Sequence, residues 1–413
     1  MLKVSLMTLQ RIAAAALLVS SLFAEAPGRK KRTVTDEEVR QVHESAILVD
    51  THNDITSATV DGFDIGKPSK DHHTDLQRLK KGGLTGQFFA VYVAASYVEG
   101  NRSAHRTLAM IDTVKHDIVE RYPNDFLFAV TADDILRAKE QGKIAALMGI
   151  EGGHAIEDDA RLLRRYYDLG VRYMTLTHTN DNTWAGSSGS KLNKGLTKLG
   201  REIIAEMNRL GMMIDISHVS DQTFWDALNA SRAPVFASHS SCRAISPVPR
   251  NMTDEMIVAM AKRGGVIQIN FDCGYLNPDV ARAEQERAKT LRPKLEALRK
   301  KYANDPEKLT EAARALRRET PLGVRATLAD VVKHINHVVE IAGIEAVGLG
   351  SDFDGVECLP EGLDSVDLWP NLTRALLEEG YTAAEIRKIY GENILRVMRA
   401  VERTAREMQA GTR

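Results

Sequence analysis

Eight short apolar runs, each of strand length, are separated by charge-laced stretches of helical period. They span residues 46–50, 86–93, 144–150, 173–178, 212–217, 235–238, 266–270 and 346–350. The stretches between them read as amphipathic helices over 108–122, 132–141, 159–169, 198–210, 221–230, 254–263 and 328–341. Five of these helices meet a glycine before the next run: Gly142, Gly170, Gly211, Gly264 and Gly343. Glycine suits the left-handed conformation that ends a helix. Strand–helix alternation implies parallel strands joined by right-handed crossovers. Eight such units predict an α/β fold, a (β/α)8 TIM barrel, although an open doubly wound sheet fits the same count.

Two segments interrupt the rhythm. Residues 276–322, between the seventh and eighth runs, read as two charged helices over 281–301 and 309–318, either a helical excursion beside the site or over the surface, or a solvated pair outside the chemistry. Residues 372–380 and 382–398 read as a helix pair closing the bottom or side of the barrel, with Thr382 and Glu385 forming a capping box. Residues 402–413 read as a frayed tail.

At the other end, Lys3 and Arg11 precede an apolar stretch over 12–23 and the small-residue pattern Ala24-Glu25-Ala26. This is the layout of a cleaved secretory signal over residues 1–26, with an uncleaved anchor as the alternative, followed by a basic linker over 27–36 and the main domain over 37–401. The expected location is periplasmic or secreted, with no membrane anchor once the signal is removed. Three widely spaced cysteines, Cys242, Cys273 and Cys358, allow one disulfide at most and no disulfide framework. A net charge of -1 over 413 residues argues against nucleic acid as the main partner.

Chemistry concentrates where the runs end. The first delivers His52 and Asp54, the third Glu151 and His154, the fourth His178, the fifth His218, the sixth His239 and the eighth Asp352. Barrel enzymes build their sites from these strand ends. His52, Asp54, Glu151, His218 and His239 supply three imidazoles and two carboxylates, more than one open zinc site needs, so two metal ions are expected with Glu151 between them. Zinc suits the donors, and other divalent metals remain compatible. Asp50 is expected to orient a ligand. His72, His73, His105, His334 and His337 are read as structural.

Several motifs resemble those of the membrane dipeptidase (renal dipeptidase) family, peptidase family M19 of the amidohydrolase superfamily. They are Asp50-Thr51-His52-Asn53-Asp54, Glu151-Gly152-Gly153-His154, Leu176-Thr177-His178-Thr179, Ser217-His218-Val219-Ser220, Ser238-His239-Ser240-Ser241, Arg250-Asn251 and Gly350-Ser351-Asp352-Phe353-Asp354-Gly355. The resemblance implies a (β/α)8 barrel with two Zn2+ that cleaves dipeptides, some with a D-residue at the C-terminal position. It implies metal binding by His52, Asp54, Glu151, His218 and His239, with Glu151 bridging. His178 becomes the substrate-binding histidine that donates to the oxyanion, and Arg250 the group that binds the substrate carboxylate. Asp352 becomes the acid that takes the proton of a bridging hydroxide's parent water and passes it to the leaving amine. Asp354 is read as structural, and a homodimer is implied. Asn180 stands where vertebrate relatives carry a disulfide cysteine, and the polar C-terminus lacks a lipid-anchor signal, so neither feature carries over. Two other readings stay open: an amidohydrolase for N-acyl amino acids or β-lactams, and a non-catalytic binding barrel.

Overall fold

A computed structural model describes residues 29–411 other than Asn304. The expected signal segment lies outside the described residues. Nine strands occur among those described: β1 (Val49–Asn53), β2 (Gly86–Tyr92), β3 (Phe126–Phe128), β4 (Ile144–Glu151), β5 (Val171–Thr175), β6 (Met213–Asp215), β7 (Ala237–Ser240), β8 (Ile267–Ile269) and β9 (Val347–Leu349). Every ladder is parallel. One sheet runs β1-β2-β4-β5-β6 with β3 attached to β4, and a second runs β7-β8-β9. Single parallel bridges, Asp215↔Phe236 and Asn53↔Phe353, connect the two sheets at both margins. The result is a curled parallel sheet with helices packed around it.

Alternation along the strands sorts the side chains into two cores. Val49, Phe88, Leu147, Tyr173, Met213 and Phe236 share one cluster with Ile394, Leu395 and Met398 from helix Asn393–Ala410. Their neighbours Leu48, Phe89, Met148, Met174 and Ile214 enter the other cluster, against the surrounding helices. Period-two alternation produces this division. Each fully buried Leu, Phe or Met contributes roughly 1.5–3 kcal/mol. Since the final helix covers one end of the first cluster, polar groups collect at the C-terminal ends of the strands.

The five glycines placed at helix ends all take positive φ, from 65° at Gly142 to 110° at Gly170. The capping box forms: Thr382 Oγ1 accepts from Glu385 N (3.2 Å), and Glu385 Oε2 accepts from Thr382 N (2.8 Å).

Four expectations change. β1 starts later than the run 46–50 and continues through His52, because Asp352 N donates to His52 O (3.1 Å) and Asp54 N donates to Phe353 O (2.8 Å). The three-residue β3 is an addition; it pairs with Ile144–Ala146 at the start of β4, which β5 reaches only from Met148. Residues 402–410 are not a frayed tail but the continuation of helix Asn393–Ala410, with Val401 and Ala405 buried. The linker is likewise held down: Val34 is buried, Arg32 N donates to Glu378 O, and Arg29 stacks on Tyr381 at 3.8 Å.

Helices Pro278–Lys301 and Pro306–Arg318 confirm two helices between β8 and β9, yet they lean on the loop after β9 rather than standing in solvent. Arg287 and Arg317 both pair with Glu357 (3.3 and 3.1 Å), and a Cys273–Cys358 disulfide ties the root of the excursion to that loop.

Candidate metal centre

Glu151, the last residue of β4, is the hub. Its Oε1 lies 2.9 Å from His218 Nε2, 3.3 Å from His239 Nε2 and 3.7 Å from His178 Nε2, while Oε2 lies 3.5 Å from His52 Nε2. One carboxylate therefore faces imidazoles from four different strands, and its two oxygens face different ones. His52 also lies 3.2 Å from Asp54 Oδ2 and stacks on His239 with ring centroids 3.7 Å apart. Asp352 joins His52 and Asp54 in a third close group of donor atoms. A Cβ at Gly355 would lie 2.3 Å from Asp352 Oδ1 and 2.4 Å from Asp54 Oδ2, so the cradle for these oxygens requires glycine there. His218 and Asp352 both sit in the left-handed region (φ 65°). Such backbone is uncommon outside glycine and collects at functional sites.

The donor set fits divalent cations. His52 Nε2 and Asp54 Oδ2 are buried without a hydrogen-bond partner, and the Nε2 atoms of His218 and His239 approach to 2.9 Å. Atoms that offer lone pairs to one another need positive charge between them. Charge points the same way. Burial opposes ionising Glu151, but the surrounding His52, His178, His218 and His239 hold its pKa well below the usual range. Burial lowers His218 and His239 and raises Asp352.

Arg250 borders the centre. Its Nη2 donates to His239 O (2.6 Å) and its guanidinium lies 5.5 Å from the Tyr275 ring, while Nε and Nη1 are buried without partners. Those nitrogens leave charged donors free for a carboxylate. His178 packs edge-on to Tyr92 at 4.9 Å and beside His218 at 4.5 Å. His52, Asp54, Glu151, His178, His218, His239, Arg250 and Asp352 thus gather in one place.

Other assignments shift in detail. Asp50 does not touch an imidazole; it accepts from Ser351 N (2.8 Å), Ser351 Oγ (2.6 Å) and His52 N, so it pins the end of β9 to β1. Asp354 is structural as expected, accepting from His73 N (2.8 Å) and donating from its own N to His73 Nδ1 (3.0 Å). His154 turns away from the hub and bonds Val93 O (2.9 Å).

The second and seventh runs, which carry no expected site residue, both contribute. Tyr92, paired in register with Glu151, supports His178. Asn270, just past β8, donates from Nδ2 to Asp352 Oδ2 (2.8 Å) while its Oδ1 accepts from Asp272 N (2.6 Å). A polar residue at the end of every run was the available signal; restricting attention to acids and histidines hid these two.

Residues 36–412 match the family model described as membrane dipeptidase, peptidase family M19. The chain belongs to that family. It is accordingly a metallopeptidase, and the resemblance read in its motifs holds over nearly the whole main domain. Among solved structures, the M19 chain is similar to the probable dipeptidase PvdM from Pseudomonas aeruginosa: 27% identity, TM-score 0.75, covering 89% of this chain and 98% of that one. It is also similar to dipeptidase AC, a metallopeptidase of family M19 (25% identity, TM-score 0.71, 86% and 99% covered). An amidohydrolase from Pseudomonas aeruginosa matches at 25% identity and TM-score 0.67, with 88% and 98% covered.

Proposed function

We propose that this M19 enzyme hydrolyses the peptide bond of dipeptides, L-L and L-D, with two zinc ions or similar divalent cations. His52 and Asp54 would hold one ion and His218 and His239 the other, with Glu151 available to both. The observation that carries this reading is the division of Glu151, with Oε1 toward His218 and His239 and Oε2 toward His52. Two cations bound there supply a nucleophile from water at neutral pH and polarise the scissile carbonyl.

The protein's own groups do the rest. Arg250, which keeps unpartnered donors on Nε and Nη1, binds the free carboxylate of the substrate through charge-assisted hydrogen bonds. His178, kept neutral mainly by burial, donates from Nε2 to the carbonyl oxygen as negative charge develops, with Thr179 Oγ1 donating to Nδ1 (3.3 Å). Asp352 takes the proton of the attacking water and returns it to the leaving amine. Asn270 fills Oδ2 of that carboxylate, leaving Oδ1 for the proton.

Two wider statements belong to the proposal. The bridges Asp215↔Phe236 and Asn53↔Phe353 support reading the two sheets as one closed (β/α)8 barrel. The Cys273–Cys358 disulfide, a bond that oxidising compartments sustain, supports export of the chain; fractionation of expressing cells, with the protein found only in the cytoplasm, would count against it.

The deciding experiment is turnover of matched L-L and L-D dipeptides by zinc-loaded enzyme, beside N-acyl amino acids, which offer Arg250 the same carboxylate. Dipeptides should be cleaved far faster. Preference for N-acyl amino acids would move the protein to the alternative amidohydrolase class. Purified protein without stoichiometric metal, together with full activity in Asp352→Asn, would refute the mechanism.

A further inference from the structure

Behind two of the imidazoles lie buried hydroxyl groups whose protons are already committed elsewhere. Tyr173, on β5, donates its only hydroxyl proton to Thr51 O (3.0 Å). His52 Nδ1 lies 2.8 Å from the same oxygen, so the hydrogen bond between them runs from Nδ1–H to Oη. The His52 Nε2 lone pair is thereby aimed at the cation position. Tyr173 reaches this place because β4 carries glycine opposite it: a Cβ at Gly149 would lie 1.9 Å from the phenol ring. Phe88 and Phe236 hold the ring at centroid distances of 5.3 and 5.5 Å.

His239 has a parallel arrangement with different chemistry. Ser238 Oγ donates to Asp215 Oδ2 (2.6 Å). Asp215 also receives Ser217 N (3.0 Å), Ser238 N (2.8 Å) and Thr175 Oγ1, so its oxygens accept only. With the serine proton spent on Asp215, His239 Nδ1, 2.7 Å away, must donate to Ser238 Oγ. Nε2 is again left bare, 3.3 Å from Glu151 Oε1. The chain behind His52 ends in a neutral carbonyl, while that behind His239 ends in a carboxylate.

We infer that Tyr173 and Ser238 are positioning residues, each fixing the proton of one imidazole on Nδ1 and each governing a different one of the two cation positions, a statement that rests on the two-cation reading above. The consequence of losing either hydroxyl follows from the neighbouring charges. Without Tyr173 Oη, the proton of His52 moves to Nε2, where Asp54 Oδ2 (3.2 Å) and Glu151 Oε2 (3.5 Å) attract it, and a cation must then displace it. Without Ser238 Oγ, His239 can place its proton toward Glu151 Oε1. Groups that hold the outer nitrogen of a metal-binding histidine change metal affinity about 10- to 100-fold when removed.

The test is zinc titration of chelator-stripped protein against a chromophoric chelator. Wild-type protein should bind two ions per chain. Tyr173→Phe, which keeps the ring and its packing, should weaken one ion about 10- to 100-fold and leave the other unchanged. Ser238→Ala should do the same to the other ion. In a His52→Ala background, Tyr173→Phe should have no further effect, whereas Ser238→Ala should retain its own. A purely structural hydroxyl would lower the melting temperature of the metal-free protein without changing either affinity, and that result would overturn the inference. Should Tyr173→Phe fail to fold, unchanged zinc affinity in Ser238→Ala overturns it equally. Fewer than two ions on wild-type protein would instead remove the two-cation reading beneath it.

Discussion

Arg250 carries opposite expectations for stability and for activity, which makes its substitution the most informative single change. One guanidinium nitrogen is satisfied by His239 O, and two, Nε and Nη1, are buried without partners. A hydrogen bond from a charged donor contributes about 1.5–3 kcal/mol. Two such bonds to a substrate carboxylate therefore supply about 3–6 kcal/mol, and each 1.36 kcal/mol is tenfold in rate. Arg250→Met should lower kcat/KM for dipeptides about a hundred- to ten-thousand-fold. The zinc-loaded variant without substrate should melt no lower than wild type, because the lost bond to His239 O is offset by the removal of two unsatisfied buried donors that cost about 1–3 kcal/mol each. A dipeptide amidated at its C-terminus provides the control: wild type should cleave it slowly, and the substitution should change that rate little. Equal losses on the acid and the amide, or a marked fall in melting temperature, would show that Arg250 supports the fold instead of reading the carboxylate.

Other outcomes follow from the same geometry. Removing metal should lower the melting temperature, and adding zinc should restore it, because the buried Asp352 carboxyl faces Asp54 and Glu151 and a bound cation would relieve that repulsion; a melting curve indifferent to chelator would contradict this. Asn270→Ala should reduce kcat about 10- to 100-fold with little change in KM, since it withdraws one hydrogen bond from the Asp352 carboxylate and touches no substrate. His334 is buried between Cys242 N and Leu276 O, and burial pushes its pKa down to about 4. The unfolded chain, with histidine near 6.5, then binds more protons, so stability should fall as pH drops from about 6.5 to about 4, by roughly 3 kcal/mol in all. Urea unfolding across that window should show the slope, and His334→Gln should flatten it. Cys358→Ser opens a disulfide spanning 85 positions, for which loop entropy gives a loss of at most about 4–5 kcal/mol; thermal unfolding with and without reductant measures it, and no difference would mean that the neighbouring contacts suffice.

Much of this architecture was legible because it depends on periodicity and on residue type at strand ends. All eight apolar runs became strands, and the donors at their ends converged. What escaped depends on partners far away in the chain. Asn270 matters because Asp352 lies beside it, 82 positions later, and Tyr173 because Gly149 and Thr51 make room and take its proton. The shift of β1 onto His52 follows from bonds to Asp352 and Phe353, which no local pattern near residue 50 contains. The continuation of the last helix is a different case. Val401 and Ala405 follow Met398 at helical spacing, so an apolar face extends the helix into the charged tail.

The bonds joining Asp50 and His52 to Ser351 and Asp352 link residues about 300 positions apart, 301 in the case of Asp50 and Ser351. At a synthesis rate of about 5–20 residues per second, the first strand exists for about 15–60 s before its last neighbour is made. During that interval His52 and Asp54 lack Asp352 and the turn through Gly355 that shapes their cradle. All five residues proposed to hold the cations are made by residue 239, but the turn that shapes the place of His52 and Asp54 is among the last parts of the fold to be made. Cation capture at that position then becomes a late event of biosynthesis, and a nascent or truncated chain ending before residue 352 should hold its first zinc poorly.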